Sequence, residues 1–391
     1  MKIAILVNEL NIRGGTHKQV LRLCQYLKKC GEDVTIYTRV YSVNDTYPEF
    51  KEIKVVTVQR KKESSKSVLR KKIDNLFLVD RTANDILQSI DLDTDIINAH
   101  DMGFQRVMYL AKKKRNSAVV WQINDLPTCF RVGFAKNVKD SFTLKGQRII
   151  ERLLAKKIDQ ITVNVSKNKE NIERCYKKDA EVFFCGVDFN NKLQKHHYKE
   201  SNCINLLTMG VFYPHRNYEI LVPVMENLIN SNLNVHLDII GSTENNPVYS
   251  KKIKDMINEK KLQENITIWG QVDESAYNML FNKANLFLFL NVNQSWGLAV
   301  FEAMSCGLPT LVSNSVGAIE LLNNGKDAVI VNPFDVKGIC KQIKMIMGNS
   351  DLYEQLSGNA LEQTQKFTWD NLYSSKMRRL FYQLKGLAIE D

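Results

Sequence analysis

The segment 291–309 combines the residue types most suited to binding a ligand. A strongly apolar run at 286–290 precedes it, and a polar turn with Gly297 leads into a helical pattern from Leu298. Ligands of open α/β sheets bind just beyond such strand ends. The backbone N–H groups of Trp296, Gly297 and Leu298 are therefore candidates to bind a phosphate or a sugar oxygen.

Glu302 lies on the helical pattern that follows this turn. It shares a stripe with Leu298 and Cys306, which are both apolar and lie four residues away on either side. A carboxylate on a buried stripe must find hydrogen-bond partners or cost several kcal/mol, roughly the penalty of a stranded polar group. The vicinal hydroxyls of a ribose would satisfy it. Capping of a neighbouring loop is the alternative, and this segment alone leaves both open.

A second candidate segment is 206–217. An apolar strand pattern ends at Gly210, and a short loop with His215 and Arg216 leads into a helix. An arginine at a helix start could pair with a diphosphate. A solvated surface arginine is the alternative, and it is the better interpretation of Arg216 taken alone.

The first half of the chain contains a glycine pair, Gly14 and Gly15, followed by Thr16 at a predicted helix start. Paired glycines allow close backbone approach, and Thr is a good N-cap residue. An acceptor or phosphate loop and an ordinary turn with a helix cap explain this segment about equally well. It is not a dinucleotide fingerprint, because G-x-G-x-x-G is absent.

Asn124 follows a predicted strand at 117–123. Its amide cannot accept a proton, so any role is orientation or hydrogen bonding to a sugar or an acceptor. His100-Asp101 is another candidate pair, although a lone His at such a position is more often structural. The D-x-D sequence at 93–95 is interpreted as a solvated loop. We predict that the protein requires no metal and no other cofactor.

Apolar strand patterns alternate with helical patterns along the whole chain, which predicts parallel sheets covered on both faces. The predicted strands are 2–8, 33–38, 94–99, 117–123, 159–165, 181–185, 204–210, 234–240, 266–269, 285–290, 309–313 and 328–331. The principal predicted helices are 16–30, 66–90, 103–115, 142–157, 167–177, 335–348, 350–366 and 369–386. A polar stretch at 186–203 is the predicted linker. We therefore predict two doubly wound α/β domains, 1–190 and 203–366, with a C-terminal helix at 367–391 that returns to the first domain.

The charge is unevenly distributed over the 391 residues. Residues 1–200 contain 38 Lys and Arg against 24 Asp and Glu, a net of +14, whereas residues 201–391 have a net of −3. This asymmetry indicates that the N-terminal half faces something anionic. The eight Cys residues are scattered without metal-like spacing, which is typical of reduced thiols in a cytoplasmic protein. The sequence contains no run of eighteen apolar residues, so it predicts no membrane-spanning helix.

Two basic clusters occur in the N-terminal half. One contains Arg60, Lys61, Lys62, Arg70, Lys71 and Lys72, and the other is 112–115. Apolar residues flank the first cluster on one helical face, which fits peripheral attachment to an anionic membrane surface on its cytoplasmic side. A surface helix that serves only solubility is an equally weighted alternative. Nucleic-acid binding is not expected, because no reader motif and no interleaved aromatic residues are present.

Five segments in order resemble glycosyltransferase family 4, the retaining enzymes of the GT-B fold, and the resemblance runs over nearly the whole chain. The family's E-x7-E motif, continued as EAM-x-x-G-x-P, is matched by Gln294-x7-Glu302 and the residues up to Pro309. Its loop G-R-L…K is matched by Gly210-Val-Phe…Arg216. Its N-G-V-D, G-G-x and G-x-x-E segments are matched at 185–188, 14–16 and 317–320.

The resemblance implies two facing Rossmann-like, doubly wound domains. It also implies that Glu302 binds the donor ribose, that Arg216 binds the diphosphate, and that position 294 and the amides of 296–298 meet the donor sugar. The glycine pair would lie beside the reacting centre, with Asn124 where many relatives have a His. The chain departs from the family pattern at Gln294, Val211, Arg216 and Asn124.

The expected function is transfer of a hexose from a UDP- or GDP-sugar to a lipid-linked or cell-surface glycan. The acceptor proton would go to the leaving diphosphate oxygen, as is commonly proposed for retaining GT-B enzymes. The departures from the family pattern support an alternative, a non-catalytic relative that binds a nucleotide-sugar or has a regulatory role.

Overall fold

The computed structural model describes residues 1–58, 82–124, 138–190 and 192–388, with the side chains of 138–144 left out. The chain forms two compact units, the first comprising Met1–Gly186 with Trp369–Asp391 and the second comprising Val187–Thr368. No helix within the described ranges combines the length and apolarity needed to cross a membrane.

The first unit contains a seven-stranded sheet in which every strand pair is parallel. Its strands are β1 (Lys2–Leu6), β3 (Asp33–Thr38), β5 (Lys54–Thr57), β6 (Ile96–His100), β7 (Ala118–Ile123), β8 (Gln160–Val163) and β9 (Ala180–Val182), and the short pair β2 (Glu9–Leu10) and β4 (Val40–Tyr41) lies outside this sheet. The order is β5-β3-β1-β6-β7-β8-β9. β1, β6 and β7 are at the centre and consist almost entirely of buried residues, as is expected of strands covered on both faces.

Five helices connect these strands among the described residues: α1 (Gly15–Lys29), α2 (Ala83–Ser89), α3 (Gln105–Lys114), α4 (Val138–Ala155) and α5 (Ser166–Tyr176). α4 packs between α3 and α5. The core beneath them includes Phe104, Trp121 and Tyr176, and the Trp121 and Tyr176 rings stack 5.8 Å apart.

The C-terminal residues 369–391 belong to the first unit. A π-helical turn, Asp370–Ser374, leads into a helix, Ser375–Lys385, that packs against α1 and β7. Glu32 is almost fully buried and accepts hydrogen bonds from Arg378 Nε at 2.9 Å and Tyr382 Oη at 2.8 Å.

The second unit contains a six-stranded parallel sheet of order β12-β11-β10-β13-β14-β15. The strands are β10 (Ile204–Met209), β11 (Val235–Ile240), β12 (Ile266–Gly270), β13 (Leu286–Phe289), β14 (Thr310–Ser313) and β15 (Val329–Val331). The helices are α6 (Leu221–Asn230), α7 (Pro247–Glu259), α8 (Glu274–Lys283), α9 (Leu298–Met304), α10 (Val336–Met347) and α11 (Ser350–Gln365), which makes the C-terminal helix Ser375–Lys385 α12. Side chains of α6, α7, α10 and α11 form one apolar core with the strands.

The polar stretch 186–203 is not a free linker, contrary to the sequence prediction. From Val187 onward it is part of the second unit. His196 is buried, its backbone N–H donates to Cys306 O at 2.9 Å, and its carbonyl accepts from Ser357 Oγ at 2.7 Å. The unit boundaries accordingly fall at 186/187 and 368/369, whereas the sequence placed them at 190, 203 and 366/367.

Candidate functional site

Two glycines bring the ends of neighbouring strands of the second unit into close approach. Gly210 follows β10 and Gly241 follows β11, and a Cβ atom on Gly241 would lie 2.0 Å from the Gly210 carbonyl oxygen. A Cβ atom on Gly210 would lie 2.6 Å from Arg216 Nε. Both positions therefore require glycine, and Gly210 makes the space in which the Arg216 side chain lies.

Arg216 is half-buried at the end of a 3₁₀ turn, Pro214–Arg216. Its Nη1 donates to Gln294 Oε1 at 3.1 Å, and its buried Nε has no hydrogen-bond partner among the described residues. Burial lowers the pKa of Arg216 from its ordinary value, but an arginine remains charged at neutral pH. The neighbouring His215 is exposed, and partial desolvation and then the charge of Arg216 lower its pKa to about 4.

Gln294 lies in a turn that is fixed at both ends. Its Oε1 also accepts a hydrogen bond from Asn291 Nδ2 at 3.1 Å, and Asn291 is buried. The backbone of Gln294 bridges to Val316, and its carbonyl accepts from Gly317 N at 3.1 Å. The side chain and the backbone of Gln294 thus join the predicted segments 210–216, 291–297 and 317–320.

The residues that follow Gln294 are held by aromatic packing. The Trp296 ring is buried and stacks on Phe301 at 5.3 Å. A Cβ atom on Gly297 would lie 3.0 Å from the Phe289 ring. Gly297 precedes α9, which begins at Leu298. This packing presses the turn against the end of β13 and fixes its path.

Glu302 lies on α9 and is half-buried, as its place on an apolar stripe predicts. Tyr277 on α8 donates from Oη to Glu302 Oε2 at 3.4 Å, and its ring stacks on Phe281 at 4.4 Å. Burial, and then the charge of Glu302, raise the pKa of Tyr277 well above its usual value, so the phenol remains a proton donor. Sequence reasoning missed Tyr277, because it lies 25 residues from Glu302 and no local motif connects the two helices.

In the first unit, Asp101 joins the glycine-pair segment to Asn124. Its Oδ2 accepts from Thr16 Oγ1 at 2.7 Å, and its Oδ1 accepts from the Asn124 backbone N–H at 2.8 Å. Asp101 has a φ of 55°, in the left-handed region that Asp and Asn tolerate better than most residues. The predicted N-cap role of Thr16 is wrong. Gly14 occupies the cap position, and the Thr16 hydroxyl is directed to Asp101 instead.

The Asn124 side chain is buried and bonded on both sides of its amide. Nδ2 donates to Gln19 Oε1 at 2.7 Å, and Oδ1 accepts from Gln122 Nε2 at 2.9 Å. These contacts give Asn124 an orienting position at the end of β7, and the residues that follow it, 125–137, lie outside the described part of the chain. His100 is fully buried and neutral, because burial and nearby His17 lower its pKa to about 3.

The D-x-D sequence directly precedes β6 and contacts the start of β1, at the opposite edge of the sheet from the strand ends just described. Lys2 Nζ pairs with Asp93 at 2.9 Å, and the Lys2 backbone N–H donates to Asp95 Oδ2 at 2.9 Å. Within the ranges that the structure describes, no three His, Cys, Asp or Glu side chains cluster as metal ligands would.

The first basic cluster, with Arg60, Lys61, Lys62, Arg70, Lys71 and Lys72, lies outside the described residues. The second cluster makes intramolecular contacts. Lys112 pairs with Asp159 at 3.0 Å, and Arg115 donates to the carbonyl oxygens of Leu87, Ile90 and Asp91 at the end of α2.

Two family models match consecutive parts of the chain. The model "Glycosyltransferase Family 4" matches residues 13–191, and the model "Glycosyl transferases group 1" matches residues 188–363. The serotype-specific mannosyltransferase WbdA of Escherichia coli is 26% identical over 167 residues, which are 42% of this chain and 20% of that protein. The chain therefore spans a fifth of the length of this relative.

Longer matches have lower identity. The mannosylfructose-phosphate synthase of Agrobacterium fabrum is 22% identical over 388 residues, covering 92% of this chain and 84% of that protein. The crystal structure of Anabaena HepE in complex with UDP and glucose superposes with a TM-score of 0.75 at 15% identity, over 97% of this chain and 99% of that one. The structural likeness shows the GT-B fold, and the two consecutive family matches show that this chain belongs to glycosyltransferase family 4.

Proposed function

We propose that the protein transfers a hexose from a UDP- or GDP-sugar to a lipid-linked or cell-surface glycan with retention of configuration and without a required metal. The observation that carries this proposal is Arg216. Its side chain is half-buried with a buried Nε, and its Nη1 contacts the neutral amide of Gln294. Among the described residues no carboxylate is found to pair with it.

A partly buried cation without a counter-ion carries a cost, because its desolvation is not offset by attraction to an opposite charge. An anionic ligand would offset that cost, and a diphosphate provides oxygens that an arginine binds in charge-assisted hydrogen bonds. The unpartnered Nε of Arg216 supplies one donor for such a ligand. This supports a nucleoside diphosphate-sugar as the donor.

Glu302 is the proposed partner of the donor ribose. Its half-buried carboxylate can accept from two vicinal hydroxyls, and the hydrogen bond from Tyr277 Oη limits its rotation. Backbone N–H groups of 296–298 are the proposed partners of the donor sugar and its phosphate, together with Gln294.

In the proposed reaction, the bond from the anomeric carbon to the diphosphate oxygen breaks, and the acceptor oxygen bonds to that carbon on the same face. The acceptor proton passes to the departing diphosphate oxygen. Asn124 has no titratable group, so its proposed role is to orient the segment beside the glycine pair Gly14 and Gly15. Arg216 supplies the positive charge that stabilises the leaving diphosphate.

The comparisons support the donor class. HepE is described in complex with UDP and glucose, and WbdA is described as a mannosyltransferase.

The test is incubation of the protein with UDP- and GDP-hexoses, with and without a glycan or lipid-linked acceptor. Release of nucleoside diphosphate together with a product whose anomeric configuration matches the donor supports the proposal. Nucleotide-sugar binding without release would favour the non-catalytic alternative.

Anionic membrane surfaces are the second proposed partner, and helix α4 provides an observation for this. Its outward face contains Ile149 and Leu153, which are 62% and 58% exposed. The exposed charged residues around them are all basic: Lys145, Arg148, Arg152 and, just beyond the helix, Lys156. Apolar residues interleaved with cations on one face are typical of helices that lie on an anionic bilayer.

A further inference from the structure

We infer that position 294 presents hydrogen-bond donors to the donor sugar and therefore selects a sugar with an acceptor-only oxygen at that point, such as a carboxylate or an acetamido carbonyl. This inference rests on the proposed function, in which Gln294 meets the donor sugar. It concerns the class of donor sugar. A carboxylate at this position, as in the family motif, would select a sugar hydroxyl, whereas the Gln294 amide selects an acceptor-only oxygen.

The orientation of the Gln294 amide follows from its neighbours. Arginine has only donors, so the amide atom that faces Arg216 Nη1 at 3.1 Å must be the oxygen, Oε1. Asn291 Nδ2 donates to the same oxygen at 3.1 Å. A flipped amide would place its NH₂ group against the guanidinium, donor against donor. The assignment of Oε1 and Nε2 is therefore set by chemistry.

The orientation of the amide leaves the nitrogen of Gln294, Nε2, as the atom that can contact a ligand. Nε2 carries two N–H donors and donates to no residue in the described part of the chain. The side chain is half-buried, so part of it faces solvent. The polar atom that Gln294 offers to a ligand is thus a donor, and both acceptor positions of Oε1 are already occupied.

The charge of Arg216 also favours a donor sugar with an anionic substituent. A glutamate at this position would pair with Arg216 and repel an anionic sugar substituent. Gln294 leaves the Arg216 charge uncompensated by any described carboxylate, so the site attracts both a diphosphate and a carboxylate on the sugar. A hydroxyl can also accept from Nε2, but an acceptor-only oxygen makes the stronger match, most of all when it is charged.

The test compares donors that differ at one substituent and share one nucleotide. UDP-glucose is paired with UDP-glucuronate and with UDP-N-acetylglucosamine, and GDP-mannose is paired with GDP-mannuronate. Dissociation constants are measured by calorimetry for the parent, for Gln294→Glu and for Gln263→Glu. Gln263 is exposed before β12, so its variant makes the same chemical change away from the site. The ratio within each pair cancels any effect of the new carboxylate on diphosphate binding through Arg216.

We expect the parent to bind at least one acceptor-bearing sugar more tightly than its hydroxyl partner, and Gln294→Glu to shift that ratio toward the hydroxyl sugar by about tenfold. Gln263→Glu should keep the parent ratio. The inference is overturned if the ratio is the same in the parent and in Gln294→Glu, or if the parent prefers the hydroxyl sugar in every pair. Free UDP and GDP are measured alongside: if the parent binds neither, the proposed function itself fails, whereas tight nucleotide binding with unchanged sugar ratios rejects this inference alone.

Discussion

A Cβ atom on Gly210 would lie 2.6 Å from Nε of Arg216, so the absence of a side chain at one position determines the place of the charge at the other. The same glycine carbonyl would be 2.0 Å from a Cβ atom on Gly241. The two glycines let the loops after β10 and β11 come together beneath the guanidinium. The site of the proposed diphosphate is therefore built into the strand ends of the sheet.

Gly210→Ala should displace the Arg216 guanidinium and weaken binding of a nucleoside diphosphate by about tenfold, the worth of a charge-assisted hydrogen bond. Calorimetry with UDP, GDP and inorganic pyrophosphate measures this. Gly358→Ala is the matched control, because a Cβ atom there meets nothing within 4 Å and the residue lies inside α11. Equal affinity of Gly210→Ala and the parent would contradict the placement of the diphosphate at Arg216.

Glu302→Gln should weaken nucleotide binding by about tenfold and reduce the preference for UDP over 2′-deoxy-UDP, because the carboxylate is the proposed partner of the ribose hydroxyls. Tyr277→Phe should reduce the same preference by a smaller factor, since it removes only the hydroxyl that contacts Glu302 Oε2. Both nucleotides are titrated against each variant. An undiminished ribose preference in a folded Glu302→Gln variant would reject the ribose assignment.

Asp101→Ala should destabilise the first unit by about 1–3 kcal/mol, because the Thr16 hydroxyl and the Asn124 N–H lose their acceptor. Asp101→Asn should lose less. Asn tolerates the φ of 55° and keeps one acceptor oxygen. Its NH₂ group, however, would face either the Thr16 hydroxyl or the Asn124 N–H, which are both donors to Asp101. Urea unfolding measures the stabilities, and nucleotide binding serves as a control that should change little. Equal stability of Asp101→Ala and the parent would show that these contacts contribute nothing.

The burial of His100 predicts a loss of stability on acidification. Its pKa is lowered to about 3, whereas in the unfolded chain it has the usual value near 6.5. Below that value the unfolded state binds a proton that the folded state does not, so stability falls as the pH drops from about 6.5 toward 3. At pH 5 the loss from this group is about 2 kcal/mol. His100→Gln should therefore show a smaller difference between unfolding free energies at pH 7.5 and pH 5; an identical difference would contradict the prediction.

Strong periodicity made most of the fold predictable. All six strands of the second unit fall at or within one residue of their predicted ranges, because each is a mainly apolar run between helical patterns. The strands β2, β4 and β5 were missed, since none of them contains more than two consecutive apolar residues. The helix predicted at 66–90 can be compared only from residue 82, where α2 begins at Ala83.

The candidate site was predictable where a residue carries its own signal. Arg216, Gln294 and Glu302 stand out by charge or by motif, and the roles inferred for them remain predictions. Their partners Asn291 and Tyr277 carry no such signal, because the contacts depend on how α8 and the turn after β13 fold. The direction of the Gln294 amide also requires the structure, since it is set by a guanidinium 78 residues away in the chain.

The last prediction concerns the outward face of α4. Successive residues of a helix are about 100° apart, and the side chains of this face project within an arc of roughly 140°. They are Lys145, Arg148, Ile149, Arg152, Leu153 and Lys156. Each cation near an anionic bilayer contributes about 1 kcal/mol, and the two exposed apolar side chains can insert between headgroups. We therefore expect the protein to float with vesicles that contain anionic lipid and not with neutral vesicles, and we expect salt to weaken this binding.

A variant with Arg148→Glu, Ile149→Ser and Arg152→Glu should lose flotation while binding nucleotide as the parent does. The control variant Val248→Ser, Lys254→Glu and Lys341→Glu makes an equivalent change at exposed positions of the second unit and should float normally. If the α4 variant floats as well as the control, α4 is not the contact, and the basic cluster at 60–72 becomes the remaining candidate; if neither lipid composition retains the parent, these cations serve solubility.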